Sequence, residues 1–318
     1  MRKLLLLLTL TITFATTRSY ATTWDEPWAD QVIKGSTSFV LAKVVATDEK
    51  KGITIQVIKT LGGAVLKDSL TITDFYLLYI CSSSGGHGPE FHTEPIDSCY
   101  FFIQQNKDGK YCIATPTAGY EYVVDGNVRA TFRHTYHQAL VPVAVYEQAM
   151  TAIFNNYHGL PYDKEGISSF IKEQLSKKPA GFAEDEINTF FLQHVALESV
   201  HHLKLAMDES LILPFLSSTS NFHSQVSAAR AMVAYNTNSS RQALLKVIGD
   251  TTRRGFVQVM CIESLTELDA KDLKPELERL EKDASDEEDG FGGNIMDPRI
   301  CTNVPSKKEA LKALIAKL

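Results

Sequence analysis

The residues of this chain best equipped for chemistry fall in two groups of histidine and glutamate. His87, Glu90 and His92 follow the stretch Cys81-Ser-Ser-Ser-Gly-Gly. Imidazole nitrogens and a carboxylate oxygen are donors that zinc or iron accepts, and glycines let a loop backbone approach a ligand. The second group is His194, Glu198 and His201, which share one face of a helix. Glu198-Ser-Val-His201 has the Glu-x-x-His spacing of carboxylate metal bundles. Those bundles need matching carboxylates and a second Glu-x-x-His from other helices, and the chain has no second copy. A metal ligand set also needs a third or fourth donor and outer hydrogen-bond partners that hold the rings. The first group therefore reads equally well as an exposed loop, and the second as packed histidines. His134 and His137, beside Arg133, suit a hydrogen-bonding role between modules. His-Glu-x-x-His, Gly-x-Ser-x-Gly and Cys-x-x-Cys are all missing. The balance leans away from an enzyme, with no cofactor expected beyond zinc or iron in these groups.

Two acidic runs invite chemistry but have simpler explanations. Glu184-Asp185-Glu186 precedes an apolar periodic segment, where carboxylates offset the positive end of a helix. Asp283 to Gly290 lacks the spacing of a calcium-binding loop and reads as a solvated insertion.

Stepping along the chain, the apolar pattern changes period near Pro142. Before it, apolar residues alternate, as they do on strands; after it, they recur every three to four residues, as they do on helices. Strands are expected at Phe39–Ala46, Ile53–Ile58 and Leu70–Phe75. Hairpins are expected around Asn106-Lys-Asp-Gly109 and Asp125-Gly-Asn127, because Asp-Gly supplies the positive φ of tight turns. A short helix or turn is expected from Trp24. Helices are expected over Val143–Tyr157, around Ile167–Leu175, and again after Glu186.

The N-terminal segment, Arg2-Lys3 followed by Leu4–Phe14 and Ser19-Tyr20-Ala21, has the pattern of a secretory signal. Its apolar run falls short of the ~20 residues that span a bilayer. We therefore expect an exported chain starting near Thr22, periplasmic or extracellular, with no membrane span in the mature chain. The net charge is −6, and losing Arg2, Lys3 and Arg18 makes the chain more acidic still. That balance, without a basic stripe, argues against a nucleic-acid partner. Export permits disulfides among Cys81, Cys99, Cys112, Cys261 and Cys301. Pairing within modules favours Cys81–Cys99 and Cys261–Cys301.

Two resemblances accompany this reading. Ala29–Gly35, Val40–Val45 and Val57–Gly62, followed by Cys99-Tyr-Phe-Phe102 and an Asp-Gly hairpin, resemble netrin-like, metalloprotease-inhibitor-like OB barrels. Such inhibitors chelate the protease metal through an N-terminal cysteine. The expected mature start here is Thr22, so no functional residue carries over. After Leu211, helices superpose at an offset of 31 residues, Val226 on Val257, and resemble short bacterial HEAT-type repeats. The resulting expectation is a multidomain α+β protein: a signal peptide at 1–21, a small antiparallel OB/netrin-like β-barrel at 22–140, linker helices at 141–206, and an all-α HEAT-like helical repeat module at 207–318 interrupted by an acidic insertion at 282–305. The function expected is a non-enzymatic protein-binding or scaffold role with a protein or peptide partner. A metal-binding protein or metal-dependent hydrolase is the alternative, and an extracellular protease inhibitor a second one.

Overall fold

The computed structural model describes residues 22–82, 89–91, 93–133, 137–287, 299–301 and 304–318. The segment expected as a signal, His87, His92, His134 and the middle of the acidic stretch lie outside the described residues.

The fold is α+β. Five strands close a barrel: β2 (Ser38–Asp48), β3 (Gly52–Gly63), β4 (Ser69–Phe75), β6 (Ile96–Gln105) and β7 (Tyr111–Ile113). They pair in the order β6-β2-β3-β4-β7, and β7 returns to β6. β8 (Tyr120–Val124), β9 (Asn127–Arg133) and β10 (His137–Pro142) extend the sheet outward from β6. Both expected hairpin turns are present. Gly109, Asp125 and Gly126 take positive φ, as tight turns require.

The run Cys99-Tyr-Phe-Phe-Ile103 in β6 is apolar at every position because both of its faces are covered. Cys99, Phe101 and Ile103 fill the barrel with Val40, Ile53 and Ile72. Tyr100 and Phe102 point outward against the helices. There Phe39 stacks on Phe102 at 4.5 Å, and Tyr100 meets Tyr146 at 4.7 Å. Tyr146 belongs to α2 (Val143–Tyr157), which starts directly after Pro142. At Gly62 a Cβ would stand 2.5 Å from Phe154 Cδ1, so β3 must lack a side chain where α2 crosses it.

The remaining helices are α3 (Lys164–Leu175), α4 (Ile187–Leu203), α5 (Leu213–Ser217), α6 (Phe222–Ala231), α7 (Asn238–Gly249), α8 (Gly255–Thr266), α9 (Lys274–Lys282) and α10 (Lys307–Lys317). The outer face of the barrel and these helices share one apolar core, running from Phe39 and Phe102 through Ile153 and Val200 to Leu311. Among the described residues no helix is long and apolar enough to cross a membrane.

The N-terminal stretch departs from the helix or turn expected at Trp24. Thr23–Asp25 forms strand β1, paired antiparallel to β5 (Ile80–Ser82) and parallel to β11 (Ile300–Cys301). Helix α1 begins only at Ala29 and runs to Gly35. Trp24 is buried, and its indole N–H donates to Thr117 Oγ1 at 2.9 Å, which holds the strand against the barrel.

That small sheet also sets the disulfide. Cys81 is bonded to Cys301, across a sequence separation of 220. The pairings expected within modules do not form, because Cys99 points into the barrel and Cys261 is buried within α8. A bridge closing so long a loop restricts the unfolded chain strongly, and its loss should cost about 2–4 kcal/mol. Cys301→Ser is expected to lower the midpoint of thermal unfolding by several degrees in oxidised protein. Added reductant should shift the wild type by the same amount and leave the variant unmoved.

Candidate functional site

The site lies where β10 meets α4 and α6. Every residue from Gln193 to Leu203 of α4 is buried, so this helix has no solvated face on which to place its polar residues. His194, Glu198, His201 and His202 must therefore find partners inside the protein or remain without them. α6 brings Arg230 and β10 brings His137 to the same place.

Glu198 is the hub. Its Oε1 lies 3.0 Å from His137 Nε2, and Arg230 Nε donates to both oxygens, at 3.3 Å to Oε1 and 3.1 Å to Oε2. His202 Nε2 stands 3.5 Å from Oε2. Burial alone would raise the pKa of Glu198. The Arg230 guanidinium, with the Ser227 hydroxyl adding to it, outweighs that effect, and the carboxyl is held below its usual range. Glu198 and Arg230 therefore form a buried ion pair.

The histidines are in the opposite condition. Burial pushes His194 and His201 well below the ordinary imidazole pKa, His137 adding to the effect at His194 and Arg230 at His201. Burial, then Arg230, lowers His202 to about 3, and burial, then Arg254, lowers His223 to about 4. At neutral pH these four rings are uncharged.

Their orientations differ. His202 Nδ1 meets the Tyr157 hydroxyl at 2.8 Å, and His201 Nδ1 meets the carbonyl of Arg230 at 2.9 Å. His194 has neither arrangement: it is fully buried, and neither Nδ1 nor Nε2 has a hydrogen-bonding partner in the protein. Its ring stacks on Phe132 at 5.4 Å and lies 4.5 Å from that of His137. Among the described residues, His137, His194 and Glu198 are the one group of three whose potential metal-ligating atoms lie within 4.8 Å of one another.

Of the residues singled out in the sequence, His194 and Glu198 thus come together, and His201 turns away to a backbone carbonyl. Glu90 sits apart on the barrel, in a surface depression with Lys50 and Asp74. His137 joins β10 to α4 through Glu198. Arg230 was not singled out, although it is the charge that completes the cluster. It also stacks 4.1 Å from Trp28, whose ring lies 4.5 Å from the Arg133 guanidinium.

No known protein family, curated protein or solved structure matches this chain.

Outside the cluster the surface opens into two adjoining depressions of about 270 and 330 Å³, and Arg129 and Leu140 line both. The first runs along β8 and β9 past Tyr122 and Val124. The second is walled by Phe182, Phe190 and Phe191 and reaches His223. Val124, Leu140 and Phe182 are about half exposed, at 57%, 46% and 50%. Burial raises the Glu121 pKa to about 8, against the pull of Thr131 and Arg129, so this carboxyl is largely protonated at neutral pH and does not neutralise Arg129.

Proposed function

We propose that this is an exported, non-enzymatic binding protein that takes an extended segment of a partner protein into the double depression beside the barrel–helix seam. The observation that carries the reading is the exposure of Val124, Leu140 and Phe182 around Arg129. Contiguous apolar surface with a few placed polar groups is the usual character of a recognition site. The chemistry fits a segment with aromatic or aliphatic side chains and one acidic residue to meet Arg129. Export is supported by the disulfide, a bond that persists in oxidising compartments. A HEAT-like reading of the later helices is supported by α6 packing on α8, with Val226 and Val257 both buried. An OB-like reading of the barrel is supported by its five closed strands. In both cases the likeness is one of architecture.

The test is fluorescence anisotropy with a library of labelled nonapeptides, each carrying two alternating aromatic or aliphatic residues and one aspartate. The best members should bind with micromolar dissociation constants. Arg129→Glu and Phe182→Ala should each weaken them by about tenfold, the effect of losing a central contact worth ~1.4 kcal/mol. Absence of binding up to about 1 mM, or affinity indifferent to Arg129→Glu, would remove the proposal.

A further inference from the structure

We infer that His137, His194 and Glu198 form a binding site for one divalent transition-metal ion of the zinc class, buried at the seam between β10 and α4. This goes beyond the peptide-binding reading and does not depend on it. The three residues supply two imidazoles and one carboxylate, from two elements that must be held together. His194 and Glu198 are four residues apart, so α4 presents both donors on one face. His137 approaches from the strand opposite.

His194 is the observation that points to a ligand. A fully buried ring with neither nitrogen hydrogen-bonded to the protein leaves both nitrogens available to a ligand. Glu198 can accept the ion without releasing Arg230, because a carboxylate offers about four lone-pair sites. His137 Nε2, which now faces Glu198 Oε1, would ligate from the same place, with its proton carried on Nδ1.

Two features limit the affinity. The donor atoms now lie within 4.8 Å of one another. Tetrahedral bonds of about 2.0–2.2 Å set donors about 3.4 Å apart, so the widest pair would have to close by more than an ångström while His137 Nε2 and Glu198 Oε1, at 3.0 Å, would open slightly. The ion's charge would also stand beside the Arg230 guanidinium, which already occupies both carboxylate oxygens. A micromolar rather than a nanomolar site is therefore expected.

The experiment is calorimetric titration of the full chain, stripped by chelator, with zinc chloride at neutral pH. It is repeated for His194→Phe and for the loop double variant His87→Ala/His92→Ala. Wild type should take up one equivalent, with a dissociation constant in the micromolar range. His194→Phe places a ring of similar shape between Phe132 and Phe190, and should weaken uptake at least a hundredfold. Its own thermal midpoint without metal should equal or exceed that of the wild type, because an unpaired buried polar group is gone. The loop variant should bind as wild type does. Failure of the folded wild type to bind overturns the site, as does uptake that survives His194→Phe or vanishes in the loop variant.

Discussion

Chelator-treated protein is expected to lose its stability as the pH falls below about 6.5, the slope approaching about 4 kcal/mol per pH unit roughly one unit lower, where four histidines draw stability down and Glu121, whose folded pKa is raised, opposes them. The unfolded chain protonates its histidines around the ordinary value. In the folded chain His194 and His201 resist protonation to well below it, His223 to about 4 and His202 to about 3. Below pH 6.5 the unfolded state therefore binds more protons, and stability falls with pH. It is fully present above that value and continues to drop until the folded values are passed. Each such histidine contributes about 1.4 kcal/mol per pH unit across its own window. Four together would exhaust a typical stability of about 5–15 kcal/mol within a few units. Glu198 acts in the same direction at lower pH, because its folded pKa is depressed and its contribution disappears on protonation. The measurement is urea unfolding at a series of pH values between 7.5 and 5, followed by tryptophan fluorescence. Trp28, held between Arg133 and Arg230, reports on the seam directly. A slope corresponding to one proton or fewer would mean that the rings are not held neutral inside the fold.

The cluster behind this behaviour was half visible in the sequence. His194 and Glu198 share a face by helical spacing, and that much follows from the period of the helix. His137 came in sight as a bridging residue but not as a strand residue. His137–Pro142 does alternate buried and exposed positions; with histidine and glutamine at its head, however, the stretch reads as polar until α4 and α6 are known to cover it. Arg230 left a fainter mark. It is the lone charge in a run of small and apolar residues, Val226-Ser-Ala-Ala-Arg-Ala-Met232. A cation at such a position requires a buried anion, and only the packing of α6 on α4 names Glu198 as that anion.

Elements with strong local signals behaved differently. α2 occupies Val143–Tyr157 as the apolar spacing and Pro142 indicated, and the two Asp-Gly turns sit where positive φ was required. What local pattern could not supply was the pairing of residues far apart. β1 joins β5 and β11, and Cys81 finds Cys301 instead of a nearer thiol, because the N-terminal strand brings the two segments to its opposite edges. Cys99 was excluded by the two-residue period of β6, which sends it into the barrel with Phe101.

Replacing Arg230 by methionine should cost about 3–5 kcal/mol, and replacing Glu198 by leucine a similar amount, whereas the double variant should recover most of the loss. Removing one member of a buried pair leaves the other charged, dehydrated and without compensation. In Arg230→Met, Glu198 keeps only the imidazoles around it, which are uncharged at neutral pH. In Glu198→Leu, Arg230 keeps its stacking on Trp28 but loses the carboxylate. With both replaced, no uncompensated charge remains, and two flexible apolar side chains can fill the space. The quantity that decides is the coupling energy from a double-mutant cycle in urea, expected at 2 kcal/mol or more, about the upper part of the range for contacting residues. Simple additivity would mean that Arg230 acts through Trp28 alone. In that case Trp28→Phe should reproduce the cost of Arg230→Met, whereas the ion-pair account expects the Trp28 variant to lose no more than a surface-scale cation–π contact of about 1 kcal/mol plus its packing.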